Sequence, residues 1–303
     1  MVTPVSAISF DIKTDIGYGV IFPFPVEPPL FPTASHMARR DQPALLLQLT
    51  DPHLMADPQA RLRDVCTDAS LQAVLALIRQ QEARPDLMLL TGDLSQDGSV
   101  ASYQRLRTLL GEADYPVRCL PGNHDDAAVL RQTLAGWVSP VFDLPGWRVV
   151  MLDSTVAGED LGHVSAGQLD VLDEALRGAG SRHVLVALHH NLARVDGNWH
   201  DPMMVTNAAE VFARLRAHPL ARVALWGHIH QEFDCRHYHL RLLGTPSTCF
   251  QFRLENGRHA IDPATPGYRW IKLYADGSIA TGVRRLADWA RLQPGAVPAL
   301  DVA

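Results

Sequence analysis

Five apolar runs in this chain end in side chains that bind metals or move protons. Asp51 and His53 follow "ALLLQLTD" (44–51), and Asp93 closes "DLMLLTGD" (86–93). Asn123, His124 and Asp125 close "VRCLPGNHD" (117–125). His189 and His190 end "HVLVALHH" (183–190), and His228 and His230 end "RVALWGHIH" (222–230). A sixth run, "RVVMLDS" (148–154), ends at Asp153, which has no glycine or histidine beside it and reads as structural or as a partner to a ligand.

The donor set is oxygen and imidazole without thiolate. That disfavours a structural zinc site and suits iron or manganese first, with zinc or cobalt as alternatives, in a hydrolytic centre. Seven candidate ligands stand out: Asp51, His53, Asp93, Asn123, His189, His228 and His230. They are too many for one open site but suffice for two ions if one carboxylate bridges. Ions about 3.5–4 Å apart can clamp both oxygens of an in-line phosphoryl displacement. Two divalent ions against two carboxylates leave a net positive centre, and the neutral Asn123 preserves that charge for a phosphate.

The pairs Asp51/His53 and His228/His230 are spaced i, i+2. In extended backbone both members of such a pair point to one side, so each could serve one ion or two adjacent ones. Glycine precedes a candidate ligand at Gly92, Gly122 and Gly227, where a missing Cβ allows close backbone approach. Singly, an Asp after a strand is more often a turn former or helix cap, and a buried His is more often a satisfied core residue. The joint pattern carries the reading. Met203 and Met204 read as packing, Trp199 as either pocket lining or surface packing, and the cysteines as inert.

Runs of four to six apolar residues are the length of fully buried strands. Helical spacing separates them over 68–83, over 99–113 after a Ser99 cap, over 165–178 from Ser165, and over 206–217 from Thr206. This alternation predicts an α/β domain. Asp276-Gly277 between two alternating stretches of 268–286 predicts a hairpin.

The chain has 303 residues, 47% hydrophobic and 20% charged, with a net charge of −6. Such a balance argues against a nucleic-acid partner, which needs a basic face. No apolar run approaches the roughly 18–20 residues that span a bilayer, so no membrane partner is expected. Cys66, Cys119, Cys235 and Cys249 form no C-x-x-C pair and read as reduced thiols of a cytoplasmic protein. Residues 1–40 carry five prolines between 23 and 32 and no periodicity, which reads as a disordered leader, with Met37 a candidate true start. Residues 41–290 read as one domain and 291–303 as a tail.

The set "D-x-H … GD … GNHD … H … GHxH" over residues 51–230 resembles the calcineurin-like metallophosphoesterase signature. With "TGDLSQDGS", "LDS", "GTPSTCFQF" and "LYADGS" the likeness extends over 44–286 to the class III bacterial 3′,5′-cyclic AMP phosphodiesterases. The resemblance implies a four-layer αββα sandwich of two mixed β-sheets flanked by helices. It implies one metal on Asp51, His53, Asp93 and His230 and another on Asp93, Asn123, His189 and His228, with Asp93 bridging. His124 would protonate the leaving group and Asp125 would orient it. Asn123, His124, His230 and Asn207 would face the substrate, a small cyclic nucleotide, in a monomer or homodimer. "HHNL" leaves open which of His189 and His190 binds metal.

Relatives with the same metals are less compatible. Serine/threonine phosphatases carry "GDxVDRG" where this chain has "GDLSQDG", and purple acid phosphatases place a tyrosine soon after that Asp, whereas the next tyrosine here is Tyr103. The remaining alternatives are a phosphodiesterase for 2′,3′-cyclic nucleotides and a non-catalytic cyclic-nucleotide-binding scaffold.

Overall fold

Strands buried on both faces account for the apolar runs. A computed structural model describes residues 42–111, 113–195, 201–255 and 258–287. The expected leader with Met37, the expected tail and Trp199 lie outside the described residues. In chain order come β1 (Ala44–Leu49), a short hairpin of β2 (Arg61–Leu62) and β3 (Val65–Cys66), α1 (Thr67–Gln81) and β4 (Leu87–Thr91). Next come α2 (Val100–Leu110), β5 (Val117–Leu120), α3 (Ala127–Thr133), β6 (Val141–Leu144), β7 (Trp147–Met151) and α4 (Ala166–Arg177). Then follow β8 (His183–Ala187), α5 (Ala208–Ala217), β9 (Ala221–Trp226), β10 (Phe233–His237) and β11 (Leu240–Gly244). Two hairpins complete the described residues: β12 (Gln251–Glu255) with β13 (Arg258–Asp262), and β14 (Gly267–Leu273) with β15 (Ile279–Arg285).

Two mixed sheets result. One has the order β15-β14-β1-β4-β5, with β1, β4 and β5 parallel and β14 antiparallel to β1. The other has the order β10-β11-β9-β8-β7-β6, parallel through β11, β9, β8 and β7 with antiparallel strands at both edges. Because side chains alternate along a strand, each sheet feeds two cores. Leu46, Leu87 and Leu89 of the first sheet meet Val149, Leu185 and Leu225 of the second in a middle layer. The other face of the first sheet, with Leu47, Leu49 and Met88, takes Leu71, Val74, Leu75 and Ile78 of α1. The outer face of the second sheet, with Val150, Val186 and Ala224, takes Leu172 of α4 and Val211 and Leu215 of α5. The expected αββα sandwich is what these layers form.

Ser99 caps α2 by accepting from the Ser102 N–H at 3.1 Å, and Ser165 caps α4 through the Gln168 N–H at 3.3 Å. Helix α3 was not visible as a periodic segment. It is one short stretch started by Asp126, whose carboxylate accepts from Ala128 and Val129 N–H. The hairpin at Asp276-Gly277 forms as expected, joining β14 to β15.

Beneath the strand ends, buried polar side chains stitch the two sheets together. Gln48 of β1 donates to Thr91 Oγ1 at 2.7 Å and to the Trp226 carbonyl of the other sheet at 3.1 Å. Thr50 donates to Asp51 Oδ2 at 2.6 Å. These bonds hold the carboxyl ends of β1, β4 and β9 in one plane of reference, and the candidate ligands leave from there.

Candidate metal centre and active site

The chain turns out of β1, β4 and β9 through strained backbone. Asp51, His53, Asp93, His228 and His230 all have φ between 47° and 64°, the left-handed region that non-glycine residues seldom enter. Each such residue costs on the order of 1–3 kcal/mol and persists where surrounding structure demands it, characteristically at functional sites. The i, i+2 pairs therefore do not converge through extended backbone, as their spacing suggested. They converge because each member is bent into the left-handed region with one residue between. Gly122 and Gly92 show why the preceding positions lack a Cβ: at Gly122 it would fall on the Asp93 carboxylate, and at Gly92 on the His189 ring.

The donors gather tightly. His230 Nε2 lies 3.3 Å from Asp51 Oδ1 and 3.2 Å from His53 Nε2. His53 Nε2 lies 3.7 Å from Asp93 Oδ2, and His189 Nε2 lies 3.4 Å from Asp93 Oδ1 and 3.0 Å from Asn123 Oδ1. The His228 ring joins the far side, 5.0 Å from the His189 ring centroid. Ligands held at about 2.0–2.2 Å from one ion stand roughly 3.0–3.5 Å from each other, so these separations suit metal coordination. Asp93 sits between two groups of donors, Asp51/His53/His230 on one side and His189 with Asn123 on the other.

Hydrogen bonds at the opposite ring nitrogens decide what the facing ones present. His189 Nδ1 meets the Thr91 carbonyl at 2.9 Å, His230 Nδ1 the Phe250 carbonyl at 2.8 Å, and His53 Nδ1 the Gln96 Oε1 at 2.9 Å. Each Nδ1–H is the donor, so each neutral ring turns an Nε2 lone pair inward. Lone pairs then face lone pairs: His53 against His230, and His189 against Asp93 and Asn123. Only a bound cation or a captured proton reconciles them. Burial would lower the His189 pKa, but Asp93 and Asp51 overcome it and lift the ring to about 9. Burial would likewise raise Asp93, but His189 and His53 hold it well below the usual carboxylate range. Burial pushes His53, which has less compensating charge, down to about 4. The two anionic carboxylates draw positive charge into the cluster, and its residues fit divalent metal.

A cavity of about 250 Å³ opens over this cluster. His124 lines it, its ring edge-on to His53 at 5.1 Å. Leu62 and Arg63 of the β2–β3 hairpin, Met203, Phe250 and Phe252 form apolar and cationic walls, and Asp160 adds a carboxylate.

A profile of the calcineurin-like phosphoesterase family matches residues 44–232. The chain belongs to that family. It is 41% identical over 256 residues to the 3′,5′-cyclic adenosine monophosphate phosphodiesterase CpdA of Pseudomonas aeruginosa, covering 84% of this chain and 94% of that protein. It is also 41% identical over 254 residues to CpdA of Escherichia coli (strain K12), covering 82% of this chain and 92% of the relative. Among solved structures, a dimetal phosphatase from Danio rerio superimposes with a TM-score of 0.62 at 16% identity, covering 81% of this chain and 97% of that one. The calcineurin-like fold thus agrees with the two-sheet sandwich described above.

Other expectations need correction. Asp125 does not orient His124. Its Oδ1 accepts from Ser95 N–H at 2.9 Å and Tyr103 O–H at 3.0 Å, and its Oδ2 from Gly122 N–H at 2.8 Å and Leu94 N–H at 3.1 Å. It clasps the loop after Asp93 to the loop carrying Asn123. Asn207 does not face the cavity: its amide pairs with both the N–H and the carbonyl of Val164, at 3.0 and 2.9 Å. Met203 lines the cavity, while Met204 packs on the core as expected. Asp153 is structural, ion-paired with Arg131 and accepting from Thr155. Of the adjacent pair, His189 reaches Asp93, whereas His190 Nδ1 is engaged by Ser154 Oγ at 2.8 Å and its ring packs on Gly162.

The four donors around Asp125 make a stability prediction. Burial, reinforced by Asp93, pushes its carboxyl up to about 7 against the backbone N–H groups that favour the anion. At about pH 8 the anion accepts four hydrogen bonds. In Asp125→Asn, either amide orientation turns an NH₂ against two donors. The variant is expected to lose on the order of 3 kcal/mol, read by urea unfolding of the metal-free protein at that pH. A change under about 1 kcal/mol would mean the clasp carries little.

Proposed function

We propose that this chain is a dinuclear-metal phosphodiesterase that hydrolyses 3′,5′-cyclic AMP to 5′-AMP. The observation that carries the reading is the set of inward lone pairs. His53, His189 and His230 are all turned toward Asp51, Asp93 and Asn123 by hydrogen bonds at their other nitrogens. The substrate class is supported by CpdA relatives whose length the match nearly spans. Asp51, His53, Asp93 and His230 would hold one divalent ion, and Asp93, Asn123, His189 and His228 the other, with iron or manganese preferred by the mixed oxygen–imidazole set.

When bound, such ions neutralise phosphate oxygens and make water acidic enough to attack near neutral pH. The chain's own residues supply the rest. Asp93 keeps the two halves of the centre in register, and its Oδ1 also accepts the His124 N–H at 2.9 Å, fixing the backbone that presents the imidazole. His124 holds a proton for the departing oxygen. Water adds to phosphorus and releases a proton to solvent, the P–O3′ bond breaks, and the 3′ oxygen leaves with the proton from His124. Phe250 and Phe252 offer flat apolar surface to a base, and Arg63, about 6.0 Å from the Phe252 centroid, offers positive charge at the rim.

The catalytic unit is taken as one domain over residues 41–290. Its four free cysteines support a cytoplasmic location, and no described helix is long and apolar enough to cross a membrane. The deciding experiment is steady-state hydrolysis of a cyclic-nucleotide panel by protein reconstituted with iron, manganese, zinc or cobalt, with products identified by chromatography. Chelator-sensitive turnover of 3′,5′-cyclic AMP to 5′-AMP is expected. Faster turnover of 2′,3′-cyclic nucleotides would overturn the substrate assignment, and no metal-dependent turnover would leave a binding scaffold.

A further inference from the structure

Gln96 joins the two histidines with the most different tasks. Its Oε1 lies 2.9 Å from His53 Nδ1 and its Nε2 lies 3.2 Å from His124 Nδ1. Its backbone is fixed at the same place, the Gln96 N–H donating to the Leu54 carbonyl at 2.8 Å. Both His53 and Gln96 therefore ride on one pair of clasped loops. His124, by contrast, is exposed, and among the described residues Gln96 makes the only hydrogen bond to its ring.

We propose that Gln96 is a positioning residue that sets opposite tautomers on His53 and His124. A primary amide has one accepting end and one donating end. The accepting end takes the His53 Nδ1–H and leaves a lone pair on His53 Nε2, which faces His230 and Asp93. The donating end gives an N–H to His124 Nδ1, which must then be the bare nitrogen of the neutral ring. The His124 proton consequently sits on Nε2, the remaining ring nitrogen. Turned end for end, the amide would reverse both rings. His53 would aim a proton at the ligand cluster and His124 would carry no proton on Nε2. Ligand competence at one ring and donor competence at the other are thus coupled through a single side chain. Glutamate at this position would accept from both rings and donate to neither.

The inference rests on the phosphodiesterase reading for its kinetic consequence, but the tautomers are properties of the resting protein. The first measurement is long-range ¹H–¹⁵N NMR of zinc-loaded, ¹⁵N-histidine-labelled protein at a pH where the His124 ring is neutral. His124 is expected as the Nε2–H tautomer, and Gln96→Leu is expected to convert it to a mixture. An Nδ1–H ring in the unaltered protein, or an unshifted tautomer in Gln96→Leu, would overturn the proposal.

The second measurement compares leaving groups at saturating metal, where an ion bound to His53 Nε2 would itself hold that ring's tautomer and only the His124 half of the coupling is read. Partners that orient a site's ligands and acids typically carry about 10–100-fold in activity. Gln96→Leu is expected to lower kcat for 3′,5′-cyclic AMP by that factor with KM within about threefold. Hydrolysis of bis(p-nitrophenyl) phosphate, whose aryl oxygen leaves without help, should change by less than about threefold. In a His124→Ala background, Gln96→Leu should add no further loss on cyclic AMP. Equal losses on both substrates, or full additivity with His124→Ala, would overturn it. Failure of the unaltered protein to cleave cyclic AMP would sink the functional reading alone, since the NMR result stands apart from turnover.

Discussion

Asp93→Ala is expected to empty the metal centre and lower cyclic AMP hydrolysis by on the order of 10³-fold or more. The size follows from what two cations do to water, whose pKa falls from about 15.7 to about 7 at a catalytic metal. The residue follows from geometry. Asp93 leaves β4 with φ 49° and places one oxygen 3.4 Å from His189 Nε2 and the other 3.7 Å from His53 Nε2. Asp51 also lies within 4.8 Å of Asp93 and His189, but its oxygens are already engaged by His230, the Thr50 hydroxyl and the His228 N–H, so it is poorly placed to take over a shared position. Without Asp93, the His189 side has only a neutral amide and imidazoles to oppose a divalent charge. The His124 backbone N–H also loses its acceptor. Asp93→Asn keeps an oxygen but only one, and no charge, so it should retain at most one ion. Elemental analysis against protein concentration reads the occupancy, and kinetics at saturating metal reads the loss. Two ions per chain with near-normal turnover in Asp93→Ala would remove it from the bridging position.

The strand ends were legible in the sequence for a physical reason. Strands such as β4, β5 and β8 are buried on both sides, so they read as unbroken apolar runs, and a carboxylate or imidazole at the end of such a run stands out. The edge strands did not stand out. Val141–Leu144 and Phe233–His237 are half-exposed and carry charged residues, so they lack that contrast. The seven candidate ligands stood out because residue type and position coincide for Asp51, His53, Asp93, Asn123, His189, His228 and His230. What surrounds them could not, because hydrogen-bond direction depends on loops meeting in space. Asp125 follows His124 directly, yet its carboxylate turns to N–H groups of Leu94, Ser95 and Gly122. Gln96 stands 28 residues before His124 and is the one bonded to its ring. Its only sequence signal was its place three residues after Asp93. Asn207, at the start of α5, was carried over by resemblance, but its amide is consumed by Val164.

His124→Ala separates two roles that geometry alone allows. The ring lies close enough to His53 and Asp93 to be counted among possible metal donors, and it also faces the cavity as an exposed imidazole. A ligand and an acid respond differently to truncation. Loss of a ligand weakens metal binding and slows every substrate together. Loss of a general acid leaves the ions in place and slows only substrates whose leaving oxygen needs a proton, by roughly 10²–10⁴-fold. The ribose 3′ oxygen is such a group, since an alkoxide is a poor leaving group in water, whereas p-nitrophenolate is a good one. The hydrogen bond from Gln96 to Nδ1 favours the second role, because it leaves Nε2 protonated and therefore without a lone pair to give a metal. His124→Ala is expected to keep two ions per chain, to lose cyclic AMP turnover within that range, and to retain most of its activity on bis(p-nitrophenyl) phosphate. Loss of metal at saturating concentration, with both substrates slowed alike, would make His124 a ligand and leave the departing oxygen to be protonated from elsewhere in the cavity.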